Sequence, residues 1–293
     1  MMAGSKGGRF RLDTFEIINT LFMLMLAFIT LYPFYYIIIT SFNDATDLAK
    51  GGIYFWPRKL SFNNYILVMN EKSLTNAFFI SVLRTVLGTV TSVFFTAAFA
   101  YGISKKHLIA RKQIVTIMMI TMYFNGGLIP YYLLIKGMGL RENFLVYIIP
   151  LLFNAFNAII MMSFFRTVPA EIDESAKLDG ANDLIIFIKL IIPISMPVIA
   201  TIALYNGVAQ WNSWFDAMLF GGKKLQTLQQ LLVRLINTTS DSGGQAASLG
   251  ISRTSSKSMR LATMVITALP IMMAYPFLQK YFVKGVMIGS IKG

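Results

Sequence analysis

Residues Ile17–Asn43 read IINTLFMLMLAFITLYPFYYIIITSFN, a run of 27 residues without one charged side chain. At about 1.5 Å per residue, roughly 20 helical residues cross the hydrocarbon of a bilayer, so this run is long enough to span it. It is expected to remain in the mature chain. It is too long for the apolar centre of a signal peptide, it continues into Tyr32-Pro33-Phe34-Tyr35-Tyr36, and no small-residue cleavage site follows. Five further charge-free runs lie downstream: Thr85–Ser104 (20 residues), Gln113–Ile135 (23), Asn143–Phe165 (23), Leu190–Phe215 (26) and Leu261–Gln279 (19). The second is expected to start near Asn76 and to carry Arg84 in its outer third. None alternates with the ten-residue pattern of a membrane β-barrel. The expected fold is an all-α membrane protein with six transmembrane helices. Prolines in or beside the runs (Pro33, Pro130, Pro150, Pro193, Pro197, Pro270, Pro276) are tolerable where neighbouring helices satisfy the freed carbonyls.

Composition agrees. Of 293 residues 56% are apolar and only 13% charged, where a soluble domain carries about a quarter, and mean hydropathy is +0.63. Cysteine is absent, which excludes a disulfide framework, a thiolate metal site and a cysteine nucleophile. His107 is the single histidine, so a histidine metal cluster or a Ser-His-Asp triad has no basis. Lys and Arg number 26 against 13 acids, a net +13 assigned here to loops beside anionic lipid rather than to nucleic acid.

An even number of spans puts both termini on one side. With that side cytoplasmic, the inside segments 1–14, 104–112, 166–189 and 280–293 hold 13 Lys/Arg, and the outside loops hold twelve over more residues. The bias is one of density only. None of the 13 acids lies in the middle of a run. Ion-coupled carriers place a carboxylate, or a broken helix that mimics one, near the midplane, so their absence argues against a secondary transporter. Nothing resembles a selectivity filter, and no paired intramembrane acids suggest a membrane-embedded enzyme.

Five acids crowd into 171–183, in Val168-Pro169-Ala170-Glu171-Ile172-Asp173-Glu174-Ser175-Ala176-Lys177-Leu178-Asp179-Gly180-Ala181-Asn182-Asp183. Pro169 suits a first helical turn, and Glu171, Asp173 and Glu174 meet the positive end of the helix dipole. Gly180 is placed to end the helix in the left-handed conformation, and Asn182 or Asp183 to cap the next. The pattern predicts a short helix on the membrane surface between spans four and five. An ordinary charged loop remains the alternative on these grounds alone.

Glu174-Ser175-Ala176, then Gly180, then Pro193 preceded by Leu190 and Ile192, resembles the EAA motif of permease subunits of bacterial ABC importers. Ser175 stands for the usual middle Ala, and Leu190 and Ile192 exchange the usual Ile and Leu. Ala97–Ser104 followed by a basic loop, Gln210-Trp211-Asn212-Ser213-Trp214, and the tail Tyr275 to Gly293 are similar to the corresponding parts of maltose-type carbohydrate permeases. The resemblance covers the chain from about Asn76 onward and lies nearest the oligosaccharide and polysaccharide group, which includes an alginate importer.

That resemblance implies a type I ABC importer transmembrane domain over 15–282, a coupling loop at 166–189, and cytoplasmic tails at 1–14 and 283–293. It implies a second permease, a different chain, together with an ATPase dimer that binds ATP and Mg, an extracytoplasmic solute-binding protein, and a bacterial inner-membrane location. No G-x-x-x-x-G-K-[ST] occurs, so no cofactor or ATPase motif is expected in this chain. The ATPase-coupling candidates are Glu171, Asp173, Glu174, Ala176, Asp179 and Gly180.

Sugars are held by aromatic faces and by amides that both donate and accept hydrogen bonds. The substrate-path candidates are Asn154 and Asn157, three apart and so on one helical face, with Asn206, Gln210, Trp211 and Asn212 beside Tyr205. Each has a competing reading as helix–helix glue, and Trp211 and Trp214 another as interfacial anchors. Arg84 is expected to snorkel to the outer surface. The stripe Leu225, Leu228, Leu232, Leu235, Ile236 predicts an amphipathic helix on the outer face, followed by a flexible loop at 238–258.

Overall fold

A computed structural model describes residues 14–237 and 257–273. Within them the chain is helical, and strand pairing is confined to one antiparallel bridge between Asn43 and Leu60. Helix α1 (Thr14–Ser41) is almost wholly exposed along its length; only Ile39, Thr40 and Ser41 at its end are buried. Its apolar face finds no cover within the described chain, as expected of a helix whose solvent is lipid or another subunit. Helix α2 (Lys72–Ser104) begins earlier than the charge-free run and forms the central post. Glu71 caps it by accepting from the Ser73 amide.

Of the six expected spans, α1 and α2 are the unbroken helices long and apolar enough to cross a membrane among the described residues. Three further runs are bent. In the third, α3 (Arg111–Tyr123) and α4 (Leu128–Gly137) meet at 115°. Between them lies Phe124-Asn125-Gly126-Gly127, where Gly127 takes φ +87° and donates its N–H to Asn125 Oδ1. A side chain at that φ would be strained, so glycine makes the reversal possible. In the fourth, a 3₁₀ stretch over Phe144–Leu151 leads at 50° into α5 (Ala155–Phe165).

The fifth run enters after the surface helix α6 (Ala170–Leu178) and bends by 84° before α7 (Met196–Asn212). Pro193 and Pro197 flank that break. Neither has an N–H to return to the preceding turn, and the chain answers with a π-helical turn at Phe187–Ile191. Helix α8 (Leu228–Asn237) follows, then α9 over 257–273. The rest of the sixth run, the tail 283–293, residues 1–13 and the loop expected from 238 lie outside the described residues.

Helix α2 packs most extensively on α7 and α5. Gly88 leaves room for α7: a methyl group there would overlap the Gln210 side-chain amide. One apolar cluster joins Ala97, Tyr101, Met161, Phe165, Ile186, Phe187 and Ile202 near the α6 end. Another joins Leu74, Ala77, Trp211, Leu228 and Leu231 with Met259 and Ala262 of α9. The amphipathic stripe is therefore partly corrected: Leu228 and Leu231 turn inward on α8, Ile236 is exposed, and Leu225 lies before the helix.

Candidate functional site

The surface helix α6 starts at Pro169, and Glu171 and Asp173 occupy its first turn. It ends in a Schellman arrangement: Gly180 N–H donates to Lys177 O at 3.0 Å and Ala181 N–H to Ala176 O at 2.9 Å, with Gly180 at φ +83°. Two residues later Asn182 caps the next helix, its Oδ1 accepting from the Ile185 amide at 2.9 Å. Each turn signal in the loop thus has the part its residue type predicts.

The expected coupling residues divide by direction. Ala176 is buried in the cluster that holds Tyr101 and Phe187. Asp173 also faces inward, accepting from the Tyr101 hydroxyl at 2.9 Å and pairing with Lys105 at 2.5 Å and Lys177 at 3.3 Å. Lys105 lies over the Tyr101 ring, 4.1 Å from its centroid, and Lys177 reaches on to Asp183 at 3.2 Å. Partial burial pushes the Asp173 carboxyl up, but its donors Lys105, Tyr101 and Lys177 outweigh that and hold it below its ordinary value. Glu171, Glu174 and Asp179 are exposed, beside Leu178, which is 89% exposed. A helix pinned on one side and bearing acids and one large bare apolar residue on the other is built to be gripped.

The second polar constellation lies between α2 and α7. Arg84 does not snorkel: it is fully buried. Its guanidinium donates to both Asp216 oxygens, at 3.2 and 2.6 Å, and to Gln210 Oε1 at 3.0 and 3.1 Å, and it lies 4.3 Å over the Tyr147 ring. Asp216 also accepts from Ser213 Oγ and the Ala217 amide, and Gln210 donates to Tyr147 O. A charge placed in a span costs on the order of 3 kcal/mol on insertion scales, and this carboxylate, amide and ring are what offset it. Asp216, just past the fifth charge-free run, is the partly buried partner of this arginine.

The remaining path candidates scatter. Asn154 is not on a shared helical face with Asn157; it caps α5 by accepting from the Asn157 amide at 3.0 Å. Asn157 and Asn206 meet across α5 and α7 at 3.4 Å, while Asn206 Nδ2 is buried without a hydrogen-bond partner among the described residues. Thr85, Thr89 and Ser92 on α2 likewise have unpartnered buried hydroxyls. Trp211 is no interfacial anchor: it is buried, and its Nε1 donates to Thr267 O on α9 at 2.9 Å. Asn212 is exposed and accepts from Gln229 on α8. Gln210, Trp211 and Asn212 thus tie helices together, as does the Asn157–Asn206 bond, while Asn206 Nδ2 keeps unspent hydrogen-bonding capacity among the described residues.

A cavity of about 390 Å³ beside Asp216 is lined by Asn125, Tyr131, Phe215 and Phe220. Amide and aromatic faces together suit a sugar, yet none of these residues is among the sequence candidates. Asn125-Gly126-Gly127, a turn signal inside an apolar run, was the mark that could have found it.

Comparison with known proteins places this geometry. The family described as "Binding-protein-dependent transport system inner membrane component" matches residues 113–288. Protein LplC of Bacillus subtilis (strain 168) is 36% identical over 293 residues, covering 100% of this chain and 98% of that protein. The polygalacturonan/rhamnogalacturonan transport system permease protein YtcP of the same organism is 35% identical, covering 93% and 96%. A solved bacterial ABC transporter involved in the import of the acidic polysaccharide alginate includes a chain 32% identical to this one, with a TM-score of 0.85 over 95% of this chain and 100% of that one. A second solved structure, the bacterial alginate ABC transporter in complex with alginate pentasaccharide-bound periplasmic protein, shares the fold at 11% identity and a TM-score of 0.57. The chain belongs to the binding-protein-dependent transport system inner membrane component family and is a permease subunit of an ABC importer, not itself an enzyme.

Proposed function

We propose that this chain forms half of the translocation path for an acidic oligosaccharide, and that α6 with its flanks, residues 169–183, transmits the closure of partner ATPases to the helices. The observation that carries the coupling role is the division of α6 into an anchored and a bare side. Asp173 and Ala176 fasten it to α2 and the helices behind it; Glu171, Leu178 and Asp179 stand free for a groove in another protein, and the exposed Glu174 borders the cavity between α6 and the end of α2. ATP and Mg belong to those partners, a second and different permease completes the path, and both termini lie in the cytoplasm with the α6 loop. Asn157 and Asn206, with the cavity at Asn125 and Tyr131, are the path residues of choice, because they keep polar capacity facing one another or open space.

The acidic substrate is supported by the names and descriptions of two relatives and by the excess of cations in the presumed outer loops. A solute-binding protein delivers it from outside. The test is binding-protein-dependent stimulation of ATPase activity in the reconstituted assembly. Wild-type chain is expected to give stimulation, and Gly180→Val to abolish it while the complex still inserts. Undiminished stimulation by Gly180→Val removes the coupling role.

A further inference from the structure

A cavity of about 430 Å³ opens between α6, the end of α2 and the loop that follows it. Its walls carry five cations, Lys105, Lys106, Arg111, Arg166 and Lys177, against two carboxylates, Asp173 and Glu174. Asp173 is already committed to Lys105 and Lys177. That leaves Lys106, Arg111 and Arg166 facing Glu174 alone. Among the described residues neither arginine forms an ion pair. Arg111 donates to Ile103 O at 3.0 Å, and Arg166 meets only the Met162 sulfur at 2.9 Å. Burial, and then the charge of Arg111, pull Arg166 below the usual guanidinium value, so the two cations repel across the same space. Val168, Pro169 and Ala170 bring the start of α6 to this cavity, and no side chain among the described residues caps that start, so its backbone N–H groups add a positive end.

We propose that this cavity binds a phosphate-bearing anion, in the membrane the headgroup of an anionic phospholipid. Planar guanidinium forks match phosphate oxygens two at a time, and a doubly bonded oxyanion relieves the repulsion between Arg111 and Arg166. The apolar part of the wall favours a lipid over free phosphate. Phe165 and Ile191 line the cavity beside the cations, where acyl carbon can lie against them. The site sits where α2 and α5 leave their apolar runs, the depth at which headgroups lie. Assignment to the inner leaflet rests on the orientation proposed above; the anion chemistry does not.

The test is calorimetric titration of the detergent-purified, assembled transporter with inorganic phosphate, dihexanoyl-phosphatidylglycerol and dihexanoyl-phosphatidylcholine. Saturable binding of the phosphatidylglycerol, tighter than both other probes, is expected. Arg166→Gln and Arg111→Gln should each weaken it about tenfold or more, the loss of one charge-assisted phosphate contact, while Arg166→Lys keeps part of it. Lys106→Gln, at an exposed position, serves if either arginine variant fails to assemble, and should weaken binding by a smaller factor. Equal affinity for inorganic phosphate supports the anion site and overturns the lipid. Absence of saturable binding, equal binding of the phosphatidylcholine, or variants indistinguishable from wild type overturn the proposal. Because binding rather than transport is read, its failure leaves the coupling role of α6 standing.

Discussion

Arg84 and Asp216 are 132 positions apart and meet at 2.6 Å, the arginine fully buried and the carboxylate partly so. Removing one partner strands a charge in low dielectric, whereas removing both together strands none. Arg84→Met and Asp216→Leu are each expected to cost about 3–5 kcal/mol, and the double variant distinctly less than their sum. Thermal unfolding of the four proteins in one detergent measures the cycle; additive losses would dissolve the pair. Sequence reading found Arg84 because a lone base in an apolar run stands out, and missed its partner because Asp216 sits just past a run and counts as loop. Such a pairing is set by how α2 crosses α7, a property of packing that no local pattern carries. Gly88 shows the same limit, since only the structure places it against Gln210.

Helix α6 is the element whose form was most legible, because its limits are local chemistry: Pro169 opens it, Gly180 reverses the chain, and Asn182 starts the next helix. The bends in the apolar runs were passed over for the opposite reason. Absence of charge says that a segment suits lipid and nothing about whether it is straight, so Asn125-Gly126-Gly127 and the Pro193–Pro197 pair were subsumed into single spans. Gly180 at φ +83° gives a sharp expectation. Valine there carries strain on the order of 1–2 kcal/mol and misdirects α6, so uptake should fall while membrane insertion, followed by immunoblot of the membrane fraction, persists. The anchoring of α6 also has a pH signature. Lys105, Tyr101 and Lys177 hold the Asp173 carboxyl below its ordinary value, so their contribution is complete above the ordinary carboxylate range and is lost as pH falls through the depressed value. Lys105→Gln should move that acid loss to higher pH, read as the melting midpoint followed against pH; an unmoved profile would mean Lys105 does not hold the helix.

The whole molecule presents two faces whose charges can now be recounted. The presumed outer loops hold twelve Lys/Arg against six acids, Asp44, Asp47, Glu71, Glu142, Asp216 and Asp241, with Arg84 set apart. Asp216 is spent on Arg84, so the outer face is left with twelve cations and five acids. Three of those acids are themselves engaged, Asp47 with Arg58 at 3.0 Å, Glu142 with Arg141 at 3.7 Å and Asp44 with Lys59 at 3.8 Å. Orientation is tested first: with no native cysteine, Lys59→Cys should react with an impermeant thiol reagent in intact spheroplasts and Lys177→Cys should not. Labelling of Lys177→Cys from outside would invert the assignment of faces. Given that orientation, a basic outer face is not what membrane insertion selects, since topology rules concentrate cations on the cytoplasmic side. Long-range attraction of an anionic solute accounts for it, because a face of one sign raises the local concentration of its counter-ion and the rate of encounter. ATPase stimulation by the assembly should therefore favour oligouronates over neutral oligosaccharides of the same length. Because the Debye length shrinks from about 10 Å at 0.1 M salt to about 3 Å at 1 M, that preference should contract as salt is added, while stimulation by a neutral sugar stays level. Equal stimulation by neutral maltodextrins at every salt concentration would leave the basic face to the lipid headgroups alone.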